Sequence, residues 1–291
     1  MTASPVVRAF FDRPTGSLQY VFHDPATRKG AVVDAVWNYQ PETGAIWTES
    51  AEEILAYIHA EGLEIDWILD THPHADHFIA APILAERLGA PTAIGEKVRD
   101  VQALWKDLYH LPEDFPTDGR QWDRLFADGD TFQVGEIPVR VVFSPGHTLA
   151  SITYVAGDAA FVHDTLMAPE SGTSRADFPG ADVAQLWDTI RTLLDLPGET
   201  RLYHGHDYPA PGAAPAYMAT VAEHRLRNAH VKDGIGRAEF LATRSARDAM
   251  LGLPDRMLAA LQVNIRGGRL PEPEADGASY LKIPVGKFDR R

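Results

Sequence analysis

The segment 71–77 (THPHADH) contains four side chains of the types that bind metal ions. In an extended backbone, residues two positions apart point to the same side, so His72 and His74 can share a target. The pair Asp76 and His77 is expected to turn toward a neighbouring point. One loop can thus supply ligands for up to two metal positions. Because the chain contains no cysteine, imidazole and carboxylate must hold the metal, which suits zinc or iron.

Other histidines and aspartates come directly after predicted strands. His147 follows a Pro-Gly turn, and Asp164 ends an apolar run. His206 follows a later strand, and the nearby His204 is the alternative candidate for this position at the metal centre. An unpaired carboxylate at a buried strand end is costly, so we expect Asp164 to bind metal. Asp34 also ends a strand and is expected to orient a histidine by hydrogen bonding, a plain turn aspartate being the alternative. A single histidine in the position of His147 is more often a capping residue or a core residue than a metal ligand. The neighbouring cluster is what favours a metal-binding role for it.

These side chains require a scaffold of strand ends, which the hydrophobic pattern predicts in the first half of the chain. A capping box between Ser50 and Glu53 is expected to begin a helix that Gly62 ends. Strands are predicted at 6–11, 18–23, 30–35, 66–69 and 91–95. Helices are predicted at 50–59, 79–88 and 98–108.

The second half repeats this alternation and then becomes helical. Strands are predicted at 131–134, 138–144, 151–156, 160–164, 201–204 and, last, 280–284. Helices are predicted at 183–194, 218–230 and 238–250. The pattern predicts an α/β protein built as a four-layer αββα sandwich. We expect 1–210 to form the catalytic core and 211–291 a helical C-terminal extension packed on it within one domain.

The composition narrows the classes of partner. The chain has 291 residues, 45% of them hydrophobic, and a formal net charge of −14, which disfavours nucleic acids and anionic membranes. No apolar run approaches the roughly 18 residues of a membrane helix, and the N-terminus lacks a secretory pattern, so a cytoplasmic location is expected. Apolar positions in the C-terminal part leave a homodimer or larger homo-oligomer open. These positions are Leu226, Phe240, Leu241, Met250 and Leu251.

Taken together, the order HxHxDH, Pro-Gly-His, strand-end Asp and late His resembles the metallo-β-lactamase superfamily over roughly residues 6–210. The segments around Asp164 and at 205–208 resemble the glyoxalase II branch. A sharper similarity lies at 172–180 (GTSRADFPG), which resembles the Gly-x-x-Arg-x-Asp-Phe segment of persulfide dioxygenases. The C-terminal segment 262–266 is also similar to the longer bacterial members of that group.

The persulfide dioxygenase resemblance implies one non-haem Fe(II) per chain, with O₂ and a small-molecule thiol persulfide, such as glutathione persulfide, as substrates. By this resemblance, the iron would be held by His72, His147 and Asp164. These three residues would form a facial triad that leaves coordination positions open. Four further residues would then either support the iron ligands from behind or form an empty second metal site: His74, Asp76, His77 and His206. In a glyoxalase-type hydrolase, all seven residues would instead bind two zinc ions bridged by Asp164, and metal-bound water would attack a thioester, ester or lactam.

For the substrate, Arg175 is expected to bind a glutathione carboxylate, because guanidinium suits bidentate recognition of carboxylates. The alternative for Arg175 is a structural salt bridge to Asp177 or another acid. Tyr208 is expected to donate a hydrogen bond to the substrate or the iron-bound group, the alternative being simple packing. The sequence departs from the family twice. His163 stands where the family usually has glycine, and residues 173–174 replace a Cys-Gly pair. A non-catalytic metal-binding protein is the third hypothesis, although no predicted ligand is missing.

Overall fold

The computed structural model describes residues 4–288, so the outermost positions of the predicted parts 1–210 and 211–291 lie outside it. The first half of the chain alternates strands and helices, as its pattern predicts. Its strands are β1 (Val6–Asp12), β2 (Ser17–His23), β3 (Lys29–Val33), β4 (Val36–Gln40), β5 (Ala45–Trp47), β6 (Glu64–Leu69), β7 (Phe78–Ile79), β8 (Thr92–Gly95) and β9 (Arg124–Phe126). Its helices are α1 (Glu49–Glu61), α2 (Ala81–Leu88) and α3 (Val98–Tyr109).

The second half forms another sheet and then several helices. Its strands are β10 (Thr131–Val134), β11 (Ile137–Phe143), β12 (Ile152–Ala156), β13 (Ala159–His163), β14 (Arg201–His204) and β15 (Met218–Thr220). Its helices are α4 (Val183–Leu194), α5 (Val221–Arg227), α6 (Arg237–Asp248) and α7 (Met257–Asn264). No helix within residues 4–288 has the length and apolar character needed to cross a membrane.

Two six-stranded sheets face each other across the main core. Their strand orders are β1-β2-β3-β6-β8-β9 and β10-β11-β12-β13-β14-β15, and β5-β4-β7 form a smaller third sheet. Alternation along β2 sends Leu18, Tyr20 and Phe22 into the core between the sheets, whereas Val21 points to the outer face. On β13, Phe161 faces the same inner core.

Helices cover both outer faces, which confirms the predicted αββα layers. On the first sheet, the apolar stripe of α1, including Ile54 and Ile58, packs against the outer face. On the second, Leu186 and Ile190 of α4 and Phe240 of α6 do the same. The C-terminal helix α6 is therefore part of the outer layer on the second sheet.

Four local predictions were wrong. Ser50 lies inside the first turn of α1, and its hydroxyl donates to Asp12 rather than capping the helix. The helix predicted at 218–230 is shorter than expected. Residues 218–220 instead pair with β14 as the edge strand β15, and α5 begins at Val221 and ends at Arg227. Residue 79 belongs to β7, so α2 begins at Ala81. Residues 280–284 form no strand, since their backbone binds the Gln262 amide at Lys282.

The strand directions explain where the chemistry lies. β3 and β6 run parallel in the first sheet, and β13 and β14 run parallel in the second. β11 has the same direction as β13, because each is antiparallel to β12. The carboxyl ends of these strands therefore deliver their loops to one end of the sandwich.

Candidate metal centre

The loops at this end of the sandwich bring all seven predicted metal-binding residues together. The segment after β6 supplies His72, His74, Asp76 and His77. His147 follows β11, Asp164 follows β13, and His206 follows β14. Close packing fixes one neighbour of the site: a Cβ on Gly205 would lie 2.1 Å from Asp164 Oδ1, so residue 205 has to be glycine.

His72, His147 and Asp164 form one group of ligand atoms. Asp164 Oδ2 lies 3.8 Å from His72 Nε2 and 3.5 Å from His147 Nε2. Ligands about 2.1 Å from one ion and roughly at right angles to each other are ~3 Å apart, so a small contraction would suit a metal. His72 Nε2 and Asp164 Oδ1 are buried without a hydrogen-bond partner among residues 4–288. The donor set fits a transition metal, and the chain carries a metal-binding His/Asp cluster.

Hydrogen bonds fix the orientation of the two imidazoles in this group. The Thr71 hydroxyl donates to Asp34 Oδ2 at 2.8 Å, so it can accept from His72 Nδ1, 3.0 Å away. His147 Nδ1 donates to the carbonyl oxygen of Arg175 at 2.8 Å. In both residues the Nε2 lone pair is left free for a metal, the arrangement typical of histidine ligands.

A second group lies beside the first. Asp76 Oδ2 is 2.8 Å from His77 Nδ1, 3.4 Å from His206 Nε2, and accepts a hydrogen bond from Ser17 at 2.6 Å. His206 Nε2 is also 3.4 Å from Asp164 Oδ2, so Asp164 faces both groups. His74, Asp76 and His77 also converge, as do Asp76, Asp164 and His206.

The buried charges act strongly on one another. Burial lowers the pKa values of His72 and His147, which keeps both imidazoles neutral and able to bind metal. Burial opposes protonation of His74, but the neighbouring Asp34 carboxylate outweighs it and raises the pKa of His74 to about 9. Burial likewise acts to raise the pKa of Asp164, but His206 lowers it well below its usual range.

Two of the expected neighbours have specific contacts. Asp34 accepts hydrogen bonds from both the backbone and the hydroxyl of Thr71, and its Oδ1 lies 3.1 Å from His74 Nε2. His163 adopts a positive φ of 41°, a left-handed conformation that glycine reaches without strain. Its Nε2 contacts the hydroxyls of Ser144 and Thr165 at 3.0 and 3.1 Å, so the ring is anchored beside the site.

A cavity of about 380 Å³ opens onto the cluster at His147, Asp164 and His206. Such a volume lies within the range of small-molecule sites. Its apolar wall consists of Met167, Phe178, Leu251 and Pro254. Its cationic wall consists of Arg175, Arg244 and Arg247. The chemistry of the walls suits a small anionic ligand with an apolar portion, despite the acidic charge of the whole chain.

The two predicted substrate-binding residues both line this cavity. The Arg175 guanidinium, however, binds Asp177 through two nitrogens at 2.7 and 2.9 Å and donates to the Gly252 carbonyl at 2.7 Å. Tyr208 is 72% exposed, and its ring lies parallel to that of His206 with 5.9 Å between centroids. Among residues 4–288, the structure gives its hydroxyl no hydrogen-bond partner.

Sequence reasoning missed several residues that bear on the site. Arg247 is exposed, lines the cavity, and has no ion pair within the described part of the chain. Asn264 donates from its amide to the carbonyls of His74 and His77 at 2.8 and 2.7 Å, which fixes the metal-binding loop. Arg247 lies on α6 outside any motif. Asn264 lies within the segment 262–266, whose resemblance assigns it no role, so only the fold brings either residue to the site. His204, the competitor of His206, instead faces His224, with 3.2 Å between their Nε2 atoms.

Comparisons with known proteins agree with this geometry. Residues 13–206 match the family model described as the metallo-beta-lactamase superfamily. The chain is 53% identical over 286 residues to the "Beta-lactamase hydrolase-like protein" of Xylella fastidiosa strain Temecula1, covering 98% of this chain but only 66% of that protein. It is 41% identical over 287 residues to "Glyoxylase B2" of Dictyostelium discoideum, covering 98% of both. This chain thus spans about two thirds of the length of the first relative.

A solved structure resembles the chain over nearly its whole length. ETHE1 from Myxococcus xanthus superposes with a TM-score of 0.72 at 28% sequence identity. The match covers 91% of this chain and 100% of that one. It therefore includes much of the C-terminal part that follows residue 206, where the family model ends.

Proposed function

This chain belongs to the metallo-β-lactamase superfamily, and on that premise we propose that it is a non-haem Fe(II) persulfide dioxygenase. The substrate would be glutathione persulfide or a similar low-molecular-weight persulfide. In the overall reaction, the outer sulfur is oxidised to sulfite and O₂ is reduced. The S–S bond breaks, the inner sulfur leaves as the thiol, and one water supplies the third oxygen and the balancing protons.

One observation carries this proposal. The segment 172–180, on which the persulfide dioxygenase resemblance rests, binds the residues proposed to hold the iron. His147 donates to the Arg175 carbonyl, and the Ser174 hydroxyl donates to the Asp164 carbonyl. The likeness to ETHE1 over that entire chain supports the same proposal.

The proposed roles follow from the geometry of the side chains. His72, His147 and Asp164 would hold the iron, which, when bound, supplies open coordination positions and the redox chemistry of O₂. Phe178 and Leu251 would keep water away from the apolar part of the substrate. Tyr208 would donate its free hydroxyl to the persulfide. We also propose a cytoplasmic location and a homo-oligomeric state. The proposed reaction depends on neither.

A hydrolase is the second candidate, because the residues of a second metal position also converge. Asp164 lies between the His72–His147 group and the Asp76–His206 group, and its carboxylate faces both. Relatives named hydrolase-like and glyoxylase support this candidate. The seven His and Asp residues of the cluster would then hold two zinc ions, which when bound supply the chemistry for hydrolysis of a thioester.

The deciding experiment measures metal content and O₂ consumption in the same preparation. Protein purified without added metal would be analysed for iron and zinc and then given fresh glutathione persulfide in an oxygen electrode. The proposal expects about one iron per chain, persulfide-dependent O₂ uptake and sulfite release. His147→Gln should abolish both iron binding and uptake, whereas the exposed His59→Gln on α1 should change neither. Two metals per chain, no O₂ uptake and cleavage of a glutathione thioester would replace the dioxygenase with the hydrolase.

A further inference from the structure

The cavity segment 173–176 contacts the metal cluster on one side. His147 Nδ1 donates to the carbonyl of Arg175 at 2.8 Å. The Ser174 hydroxyl donates to the carbonyl of Asp164. The position of this short segment therefore determines where two of the three proposed iron ligands lie.

Helix α6 holds the same segment from its other side, at both ends. Asp248 Oδ2 accepts a hydrogen bond from the backbone nitrogen of Ala176 at 2.9 Å. Arg244 Nη1 donates to the carbonyl of Thr173 at 3.0 Å. Arg244 Nη2 and Asp248 Oδ1 are 2.5 Å apart, and their side chains are only 2% and 5% exposed. The Arg175 carbonyl thus lies between two anchors on a single helix.

Stability alone does not account for this arrangement. Taking two charges out of water is expensive, and apolar residues of similar volume often replace a buried ion pair without loss of stability. Here each charged group also binds the backbone of the segment. Arg244 binds it before Arg175, and Asp248 binds it after Arg175. Groups of this kind behind a metal ligand tune its orientation and basicity, and their loss typically weakens metal binding about 10–100-fold.

We propose that Arg244 and Asp248 of α6 are positioning residues for the metal centre. The pair fixes the Arg175 carbonyl, which holds the His147 imidazole with its Nε2 directed at the metal. The C-terminal part of the chain would thereby set the metal affinity of a site whose ligands all lie before residue 207. The inference depends on metal binding by His147, one element of the proposed function, and it is independent of whether the reaction is oxidation or hydrolysis.

Metal affinity tests this proposal without any turnover. Co²⁺ binding to metal-free protein would be measured by competition with a chelator, and its visible spectrum would report the ligand geometry. In Arg244→Met/Asp248→Leu both anchors are lost but no unpaired charge is left, so the fold should persist. We expect the affinity to fall about 10–100-fold with an altered spectrum.

Two further variants separate positioning from general stabilisation. Arg244→Met/Asp248→Asn keeps an oxygen that can accept from Ala176, so its affinity should lie between those of the parent and the leucine variant. Equal loss in both double variants would overturn the proposal, because a charge effect alone would explain it. The control is Arg237→Met/Asp188→Leu, which removes an exposed ion pair between α6 and α4 with a 3.6 Å separation and should leave Co²⁺ affinity unchanged.

Hydrogen exchange of the unaltered protein gives a test that needs no variant. If α6 and the metal are coupled, Co²⁺ binding must protect the amides of 173–176 and of α6 together, because coupling acts in both directions. Protection confined to the ligand loops themselves would overturn the proposal. So would an unchanged Co²⁺ affinity in a folded leucine variant. Either result would leave the proposed oxygen chemistry intact, since iron content, O₂ uptake and sulfite release of the unaltered protein test that separately.

Discussion

The guanidinium of Arg175, which lines the cavity, forms a two-pronged ion pair with the carboxylate of Asp177, with N–O distances of 2.7 and 2.9 Å. A third nitrogen of Arg175 donates to the Gly252 carbonyl. Charge-assisted pairs of this geometry are strong and directional. Arg175 is therefore already paired in the protein, whereas Arg247, on the same wall, has no ion pair within residues 4–288. We therefore expect Arg247 to bind an anionic group of the substrate and Arg175 to hold its own segment in place.

The first prediction concerns these two residues. Arg247→Ala should raise the KM for a persulfide or thioester that carries a carboxylate by roughly tenfold, with kcat nearly unchanged, because a hydrogen bond to a charged group contributes about 1.5–3 kcal/mol. Arg175→Ala should lower kcat instead, since it loosens the segment that binds His147. Steady-state kinetics of both variants test this, with Arg237→Ala on the same helix as the control. A KM effect confined to Arg175→Ala would reverse the assignment.

The second prediction concerns Asp34, whose φ of 53° suits aspartate, asparagine or glycine. Asp34→Gly keeps the backbone conformation but removes both hydrogen bonds to Thr71, so His72 loses its orientation. We expect metal affinity to fall about 10–100-fold. Asp34→Asn, which can still accept one of these bonds, should lose less. Chelator competition measures both, and equal affinities in the two variants would show that the hydrogen bonds do not position His72.

The sequence predicted the ligand cluster because its signal is local: each histidine or aspartate directly follows an apolar strand. The layered fold was equally accessible, because apolar strands alternate with amphipathic helices in both halves of the chain. β5 and β9 were missed because each has only three residues and lies at a sheet edge, where pairing rather than composition decides the structure. β4 was missed although it has five residues and lies in the middle of the smaller sheet. The positions of Arg247 and Asn264 could not be predicted, because they depend on how the C-terminal helices return to the first half of the chain.

The third prediction uses the two left-handed histidines, His163 and His110, with φ values of 41° and 50°. A left-handed residue other than glycine costs about 1–2 kcal/mol. His110 is exposed at the end of α3, so His110→Gly should stabilise the metal-free protein by about 1 kcal/mol. His163 is buried and anchored by Ser144 and Thr165. His163→Gly therefore leaves a cavity whose cost exceeds the relief, and a net loss of about 2 kcal/mol is expected. Urea unfolding of both variants measures this contrast, and stabilisation of both would mean that the imidazole of His163 contributes nothing.

The last prediction concerns His224, which is fully buried against His204. Burial lowers the pKa of His224 to about 4, below its usual 6.5. The unfolded chain therefore binds the proton more readily than the folded one between these values. The resulting stability is complete above about pH 6.5 and is lost as the pH falls toward 4, by up to about 1.4 kcal/mol per pH unit.

Replacing this imidazole removes its share of that slope. In metal-free protein, the free energy of unfolding should decline less steeply between about pH 6.5 and pH 4 after His224→Gln. The difference in slope should correspond to the uptake of at most one proton on unfolding. The exposed His59→Gln on α1 is the matched control and should keep the slope of the parent protein. Urea unfolding at a series of pH values provides the measurement. An unchanged slope in His224→Gln would mean that the buried pair accepts a proton without disrupting the core, and that the acid sensitivity comes from the metal cluster instead.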